Sequence, residues 1–364
     1  MREILIHLKK LDWILIIAVI LLAGIGLLSI YSSSLGKGDF FNFKKQVAFL
    51  GIGFFLMIAL SFLDWRFLKE NPYLILVLFF LCLAALLGLF FFAPEIRGVR
   101  SWYKIGLFSI DPIEITKIVF IILLAKYFSM RHTEMYQIKH ILLSGFYLFL
   151  PAVLIFFQPD LGSVLILIAI WLGILFISGI RVSHFLFLCL VFILIFILSW
   201  QFLFKDYQKD RIISFIRPQI ETKGIGWSRT QAKIAIGNGG LMGTGLGKGS
   251  QTQYGFLPEP QTDFIFAAIA EEMGAIGIAG VLALFSLIIW QILKISFHSR
   301  TNFSKLFTCG LSINLIAQAI AHIGMNLGIL PVIGVPLPFV SYGGSSLIIN
   351  FIGLGILESI KANQ

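Results

Sequence analysis

Apolar runs of 17 to 25 residues, separated by short polar joints, cover most of the chain. Runs of that length match helices that cross a bilayer. Ten such segments are predicted, at about 12–32, 46–63, 73–93, 112–128, 140–157, 161–178, 184–203, 263–293, 305–327 and 341–360. An even count puts both termini on one side. The expected fold is therefore an all-α polytopic membrane protein of about ten transmembrane helices. Residues 1–364 form a single transmembrane domain in this reading, with one long loop at about 204–262 between spans seven and eight.

Composition removes the competing classes. AVILMFWYC residues make up 58% of the 364 and only 13% are charged, about half the roughly 25% of soluble domains. Mean hydropathy is +0.95, so a water-soluble globule is excluded. Cys82, Cys189 and Cys309 all lie inside apolar runs and offer neither a disulfide framework nor a metal-binding spacing.

The net charge of +10 has a topological reading rather than a nucleic-acid one. With a cytoplasmic N-terminus, thirteen Lys and Arg fall on the cytoplasmic side and six in the short outer loops. That bias predicts cytoplasmic N- and C-termini and makes 204–262 extracytoplasmic. The first span follows Lys9 and Lys10 and leads to Tyr31-Ser32-Ser33-Ser34 without an Ala-x-Ala site. It is read as a retained anchor, with cleavage after the serines as the alternative.

His7, His132, His140, His184 and His298 map to the cytoplasmic side, and His322 inside a span reads as a helix-packing hydrogen bonder. The acids point the other way. Asp111, Glu114, Asp160, Glu259 and Asp263 map to the outer ends of spans or the loop beside them, where an ionised carboxylate is costly unless paired or in a water-filled cavity. In Asp111-Pro112-Ile113-Glu114-Ile115-Thr116-Lys117, the proline suits a first helical turn, and Glu114 and Lys117 share a helix face. A salt bridge that only holds the bundle together is the structural alternative.

Seven glycines lie between 237 and 249. The segment is not a Walker A loop, because Gly249 stands where Ser or Thr is required. Glycine interleaved with Ile, Leu and Met predicts a re-entrant or interfacial segment rather than a linker. Beyond it, Thr262 is placed as the cap of span eight and Asp263 in its first turn. Glu271 and Glu272 lie deeper, and at least one must face the bundle interior as structural glue. Pro331, Pro336 and Pro338 then break the chain into an ordered apolar loop. Ser341-Tyr342-Gly343-Gly344-Ser345-Ser346 follows with hydroxyls at a helix start, which suits a phosphate or simple capping.

Together these segments resemble the SEDS family (shape, elongation, division and sporulation), most closely its RodA branch. The resemblance is carried by Arg100-Ser101-Trp102, Asp111-Pro112-x-Glu114-x-x-Lys117, Gln158-Pro159-Asp160-Leu161-Gly162, Lys233-Ile234-Ala235-Ile236-Gly237 and Gly249-Ser250-Gln251. It continues through Phe256-Leu257-Pro258-Glu259, Thr262-Asp263-Phe264-Ile265-Phe266, Gly334-Val335-Pro336-Leu337-Pro338 and the Ser341–Ser346 stretch. One departure is visible: the family pattern Gln-Pro-Ser-Glu is here Asp111-Pro112-Ile113-Glu114, which adds a negative charge beside Lys117 and removes a hydroxyl.

The resemblance implies a peptidoglycan glycosyltransferase that polymerises lipid II into a growing glycan strand during cell elongation. It would work at the outer face of the bacterial cytoplasmic membrane, with a class B penicillin-binding protein and other elongation-complex membrane proteins, and without nucleic acid. The residues fit such chemistry. An acceptor hydroxyl must lose a proton as it attacks the anomeric carbon, while the leaving undecaprenyl pyrophosphate needs cations and no general acid. The family motif makes Asp263 the catalytic base. Arg100, Lys117 and Lys248 are the candidate pyrophosphate partners, Glu114 orients Lys117, and Asp160 lines the cavity. Trp102, Glu259, Ser341 and Ser345 complete the candidate substrate-binding set. A divalent cation, Mg or Mn, is implied by the family, although the sequence shows no dedicated ligand cage.

Two other functions are compatible with intramembrane charge. A flippase for lipid-linked sugar also uses charges and broken helices, yet it needs polar groups along the whole crossing, whereas these candidates cluster at the outer ends. A non-catalytic scaffold that activates a penicillin-binding protein would not need Asp263.

Overall fold

The computed structural model describes residues 2–94, 101–106, 108–131, 137–204, 208–209, 212–213, 215 and 225–363. In chain order its helices are α1 (Arg2–Lys10), α2 (Trp13–Lys37), α3 (Phe41–Ser61), α4 (Arg66–Glu70), α5 (Pro72–Phe92), α6 (Pro112–Ser129), α7 (Ile138–Phe157), α8 (Leu161–Ile177) and α9 (Val182–Phe202). They continue as α10 (Ile225–Gly239), α11 (Ser250–Gln253), α12 (Ile265–His298), α13 (Asn302–Leu327) and α14 (Gly344–Ala362). A hairpin of β1 (Tyr103–Ile105) and β2 (Phe108–Ile110), antiparallel with Ile105 opposite Phe108, precedes α6.

Each of the ten apolar segments is a helix, and eight are long and apolar enough to cross a membrane. The other two fall short for readable reasons: α8 has 17 residues, and α6 carries Glu114, Lys117 and Lys126 in 18. Boundaries follow local chemistry. Asp12, Asp111, Asp160 and Thr301 cap α2, α6, α8 and α13 by accepting from backbone N–H groups. Pro72 and Pro112 occupy first turns.

Helix α6 is the axis of the bundle, with fifteen of its eighteen residues buried. It packs against α13 and α5, while α14 runs along α3 and α12 lies against α2 and α13. The outer faces are apolar rather than charged, most clearly on α9, where Leu186, Phe187, Leu190 and Ile193 are exposed. That is the surface expected of a bundle solvated by lipid. At one end Lys361 pairs with Asp12 at 2.8 Å and the Asp12 N–H donates to Glu358 at 2.8 Å. The start of α2 therefore lies beside the end of α14. The hairpin and the N-termini of α6, α8, α12 and α14 gather at the opposite end, called the far end below.

The segment 204–262 is more than a loop, because α10 and α11 fold within it. Helix α12 is broken at Gly274 (φ 65°, ψ −162°), and such a break inside lipid exposes backbone groups that must find partners. The glycine-rich segment supplies them. Thr244 and Gly245 N–H donate to the carbonyls of Glu271 and Glu272 at 2.9 and 3.0 Å, and Ala275 and Ile276 N–H donate to Gly240 and Leu241 at 2.9 and 3.3 Å. Glycine is required for this approach: a Cβ on Gly239 would sit 1.8 Å from the Ala270 carbonyl oxygen, and one on Gly243 2.2 Å from that of Glu272.

Both buried glutamates reinforce the repair. Glu271 accepts from Gln251 N–H at 2.8 Å, Thr252 N–H at 3.0 Å and the Thr252 hydroxyl at 2.8 Å, so it caps α11. Glu272 accepts from the Ser32 hydroxyl at 2.7 Å and from Gln253 Nε2 at 2.9 Å. The role of structural glue read from the sequence thus belongs to both.

Gly274→Ala forces a Cβ to 2.3 Å from the Gly243 nitrogen at positive φ. The substitution is expected to cost more than about 1 kcal/mol, read as a lower thermal midpoint in detergent. Gly24→Ala, whose Cβ meets nothing within 4 Å, is the control and should leave the midpoint unchanged or raised.

Candidate active site

The far end begins with the acid and base of α6. Asp111 opens the helix, its carboxylate accepting from Ile113 N–H at 2.9 Å. One turn on, Lys117 Nζ lies 2.6 Å from Glu114 Oε1, with the lysine 1% and the glutamate 7% exposed. The pairing read from the i, i+3 spacing is therefore present. It is what permits a lysine to stand inside the bundle, since an unpartnered ammonium there would cost several kcal/mol.

Asp160 opens α8 and accepts from Ser163 through the backbone at 3.0 Å and the hydroxyl at 2.6 Å. It lies within electrostatic reach of Asp111, as do Glu114 and Lys117. Burial pushes the Asp111 carboxyl above its ordinary range, the Glu114 charge adds to the rise, and Lys117 opposes it. The extra acid at position 111 therefore sits inside the same charge cluster.

Asp263 lies on a turn, not in the first turn of α12 as expected. The N-cap is Phe264, without a side-chain cap, so the capping role given to Thr262 is corrected. Glu259 causes the difference. In a left-handed conformation (φ 43°), it folds the chain back so that its carbonyl accepts from Thr262 and Phe264 N–H, both at 3.2 Å. Asn326 on α13 fixes the result. Its Nδ2 donates to the Asp263 carbonyl at 2.9 Å and its Oδ1 accepts from Ala267 N–H at 3.1 Å. Beneath, Ala232 and Ala235 of α10 pack on Phe264, Ala267 and Ala268, small residues that let the two helices approach closely.

The Ser341–Ser346 segment joins these halves. Ser341 Oγ accepts from Leu337 N–H and donates to the Thr262 carbonyl, both at 2.9 Å, and Tyr342 N–H donates to the Gln261 carbonyl at 2.8 Å. Four residues on, Ser345 Oγ accepts from Asp111 N–H at 3.0 Å and donates to the Ser109 carbonyl at 2.9 Å. One short strap is thus bonded next to Asp263 at one end and to Asp111 at the other. Both serine protons are committed to carbonyls, so these hydroxyls bridge protein segments.

Other candidates are more dispersed. Trp102 is 37% exposed beside β1. Glu259 is exposed on its turn, and Lys248 is exposed on the glycine segment, next to Gly247, which packs against Leu35 of α2. Arg100 lies outside the described residues. A cavity of about 280 Å³ opens between α3, α6 and α14, with Phe49, Ile52, Ile115, Ile348 and Ile349 as apolar walls and Ser109, Asp111 and Ser345 as polar members. Among the described residues, no three His, Cys, Asp or Glu side chains group to hold a metal ion.

Positioning residues escaped the sequence reading. Gln46 donates to the Ser341 carbonyl at 3.1 Å and accepts from Gly343 N–H at 3.2 Å, and Asn42 donates to Gln261 at 2.8 Å. A carboxamide at the end of an apolar run is the signal that marks Gln46 and Asn326. His322 matches its reading, Nδ1 donating to the Val335 carbonyl at 2.8 Å.

A family model described as cell cycle protein (FTSW_RODA_SPOVE) matches residues 12–364. The chain is 34% identical over 362 residues to stage V sporulation protein E of Bacillus subtilis, covering 96% of each. It is 33% identical to the peptidoglycan glycosyltransferase MrdB of Escherichia coli, over 99% of this chain and 95% of that one. Among solved structures, a chain from a peptidoglycan synthase complex, described for its coordination of polymerization and crosslinking, superposes with a TM-score of 0.84 at 27% identity, covering 97% and 98%. The rod shape determining protein RodA of Thermus thermophilus superposes at 0.72 with 25% identity, covering 96% of both.

Removing one member of the α6 pair leaves the other charge buried alone. Glu114→Gln is expected to destabilise by about 3–5 kcal/mol. The double variant Glu114→Gln with Lys117→Met recovers most of that loss, because an apolar replacement of a buried pair is close to neutral. Thermal midpoints of the four proteins of this cycle, measured in one detergent, check it; an additive double variant would sink the pairing argument.

Proposed function

The chain belongs to the FtsW/RodA/SpoVE family of cell cycle proteins, and from that premise we propose that it is a peptidoglycan glycosyltransferase polymerising lipid II. It acts during cell elongation, at the outer face of the bacterial cytoplasmic membrane. The observation that carries the reading is the strap Ser341–Ser346, which ties the Asp263 turn to the Asp111–Glu114–Lys117 cluster. A base on a turn and a buried cation on α6 are thereby held to one end of the bundle.

Asp263 takes the proton of the acceptor hydroxyl as the hydroxyl oxygen forms its bond to the anomeric carbon of the donor. The bond from that carbon to the diphosphate breaks, and the diphosphate leaves with its charge. Lys117, oriented by Glu114, supplies positive charge for it inside a low-dielectric bundle, where such stabilisation is strongest. No proton donor is required, because the leaving group is already a stable anion.

Substrate class follows from the groove. Its apolar walls fit a polyprenyl chain, and its polar members adjoin Asp111 and hence the charge cluster. The elongation assignment rests on the Lys233–Gly237, Gly249–Gln251 and Gly334–Pro338 motifs, since identity to sporulation and MrdB relatives is nearly equal at 34% and 33%. A class B penicillin-binding protein is the proposed partner, because a structurally similar chain comes from a synthase complex that couples polymerization to crosslinking. Magnesium or manganese would be held chiefly by the diphosphate itself, and no step above depends on it.

Asp263→Asn, purified with its transpeptidase partner and given labelled lipid II, is expected to lose about 10²–10⁴-fold in polymer formation, with its thermal midpoint and partner binding unchanged. Polymer at the normal rate would refute the base.

A further inference from the structure

No step above uses the Asp111 side chain, although Asp111 lines the cavity assigned to the polyprenyl chain. Its position is fixed from two sides. Ser345 Oγ accepts from the Asp111 N–H at 3.0 Å, and Ile113 N–H donates to Asp111 Oδ1 at 2.9 Å, so the strap and the helix start together orient the carboxyl. The bond from Ile113 is the one hydrogen bond this carboxyl makes among the described residues. The second oxygen, Oδ2, has no partner there, and Asp111 is half-buried rather than enclosed.

Charge decides which form the carboxyl takes. Glu114 and Lys117 on α6 and Asp160 at the start of α8 are the charged groups within reach, and β2, α3 and α14 add no titratable side chain to the cavity wall. Glu114 and Lys117 cancel as a pair at 2.6 Å. That leaves, among the described residues, two carboxyls without a cation of their own. Neighbouring carboxylates in a weakly polar site oppose each other's ionisation, and the less well solvated of the two holds a proton. Asp160 is the better placed to stay ionised, because it accepts both the backbone N–H and the hydroxyl of Ser163, whereas Asp111 accepts a single bond. Burial and the Glu114 charge outweigh the Ile113 bond and Lys117, and the Asp111 carboxyl is pushed up to about 8.

We propose that Asp111 acts as a neutral acid whose Oδ2–H donates a hydrogen bond to a diphosphate oxygen of the lipid substrate, while the chain lies in the cavity and the diphosphate reaches toward Lys117. The inference rests on the lipid-diphosphate reading of the groove given above. The proton is shared and not transferred, so Asp111 binds and orients the diphosphate and Asp263 remains the base. A neutral carboxyl offers one donor and one acceptor, as a carboxamide does, so the acid at position 111 does not reverse the charge that an anionic substrate meets. Once ionised, the same side chain repels the diphosphate, and substrate binding weakens between neutral and alkaline pH.

The test follows the proton and the substrate separately, on the full chain in detergent. Infrared difference spectra of wild type minus Asp111→Asn read the carbonyl stretch of a protonated carboxylic acid, with and without undecaprenyl pyrophosphate. The band should be present at pH 7, be lost above about pH 8 and shift when the diphosphate is added. In polymerisation with the transpeptidase partner, the wild-type KM for lipid II should rise about tenfold per pH unit above that point, as loss of one proton requires. Asp111→Asn, which keeps the helix cap, should lack this rise. Asp111→Ala should raise KM about tenfold at pH 7, the scale of one hydrogen bond to a charged group, with Asn restoring most of it; a loss of folded protein would lower the rate and not KM. Absence of the band at pH 7, or the same alkaline rise in KM in wild type and Asp111→Asn, would overturn the proposal. Failure of wild type to polymerise lipid II at any pH would reject the glycosyltransferase reading instead, and the response of the band to the diphosphate, a shift or none, would still decide whether the proton serves it.

Discussion

A polar group that leaves its helix inside hydrocarbon has to find a partner within the protein, because lipid offers none. Most of what is specific about this bundle follows from that constraint. The break at Gly274 frees two carbonyls and two N–H groups, and the glycine segment is shaped to meet all four. A segment that would serve as a linker in water becomes a fixed structural part here. Its glycines are required because it must approach another backbone at distances no side chain tolerates.

The same constraint organises the charges. Lys117 is almost wholly buried, and Glu114 at 2.6 Å is the condition of its presence. A buried pair of this kind is weak evidence for stability, since two well-packed apolar residues would do as well or better. The pair stands at the head of the central helix, next to Asp111 and near Asp160. Because a buried ammonium is poorly solvated by water, its charge is little screened.

The ten helices were legible from apolar run length alone, and the Glu114–Lys117 pair from its spacing, because both depend on local periodicity. Position 274 was not, since a lone glycine in an apolar run reads equally as helix interior; the break shows only when residues 240–245 are folded against it. The turn at 259–263 was hidden for a related reason. Thr262 looks like a cap in sequence, yet Glu259 adopts a left-handed conformation that a non-glycine residue rarely takes, and the helix starts later. The serines of the strap suit either a phosphate or simple capping when read along the chain, and only the tertiary partners of Ser341 and Ser345 show that they bridge protein segments.

That late start bears on which acid can act as base. Asp111 and Asp160 each use a carboxylate oxygen to cap their own helices, and Glu114 uses one to hold Lys117. Asp263 stands outside α12, beside an N-cap that has no side-chain bond, and is held through its backbone by Asn326 and its neighbour's contact with Ser341. The main chain around Asp263 is thus fixed by tertiary contacts rather than by a helix cap, the kind of support that the proton acceptor of the proposed reaction would need.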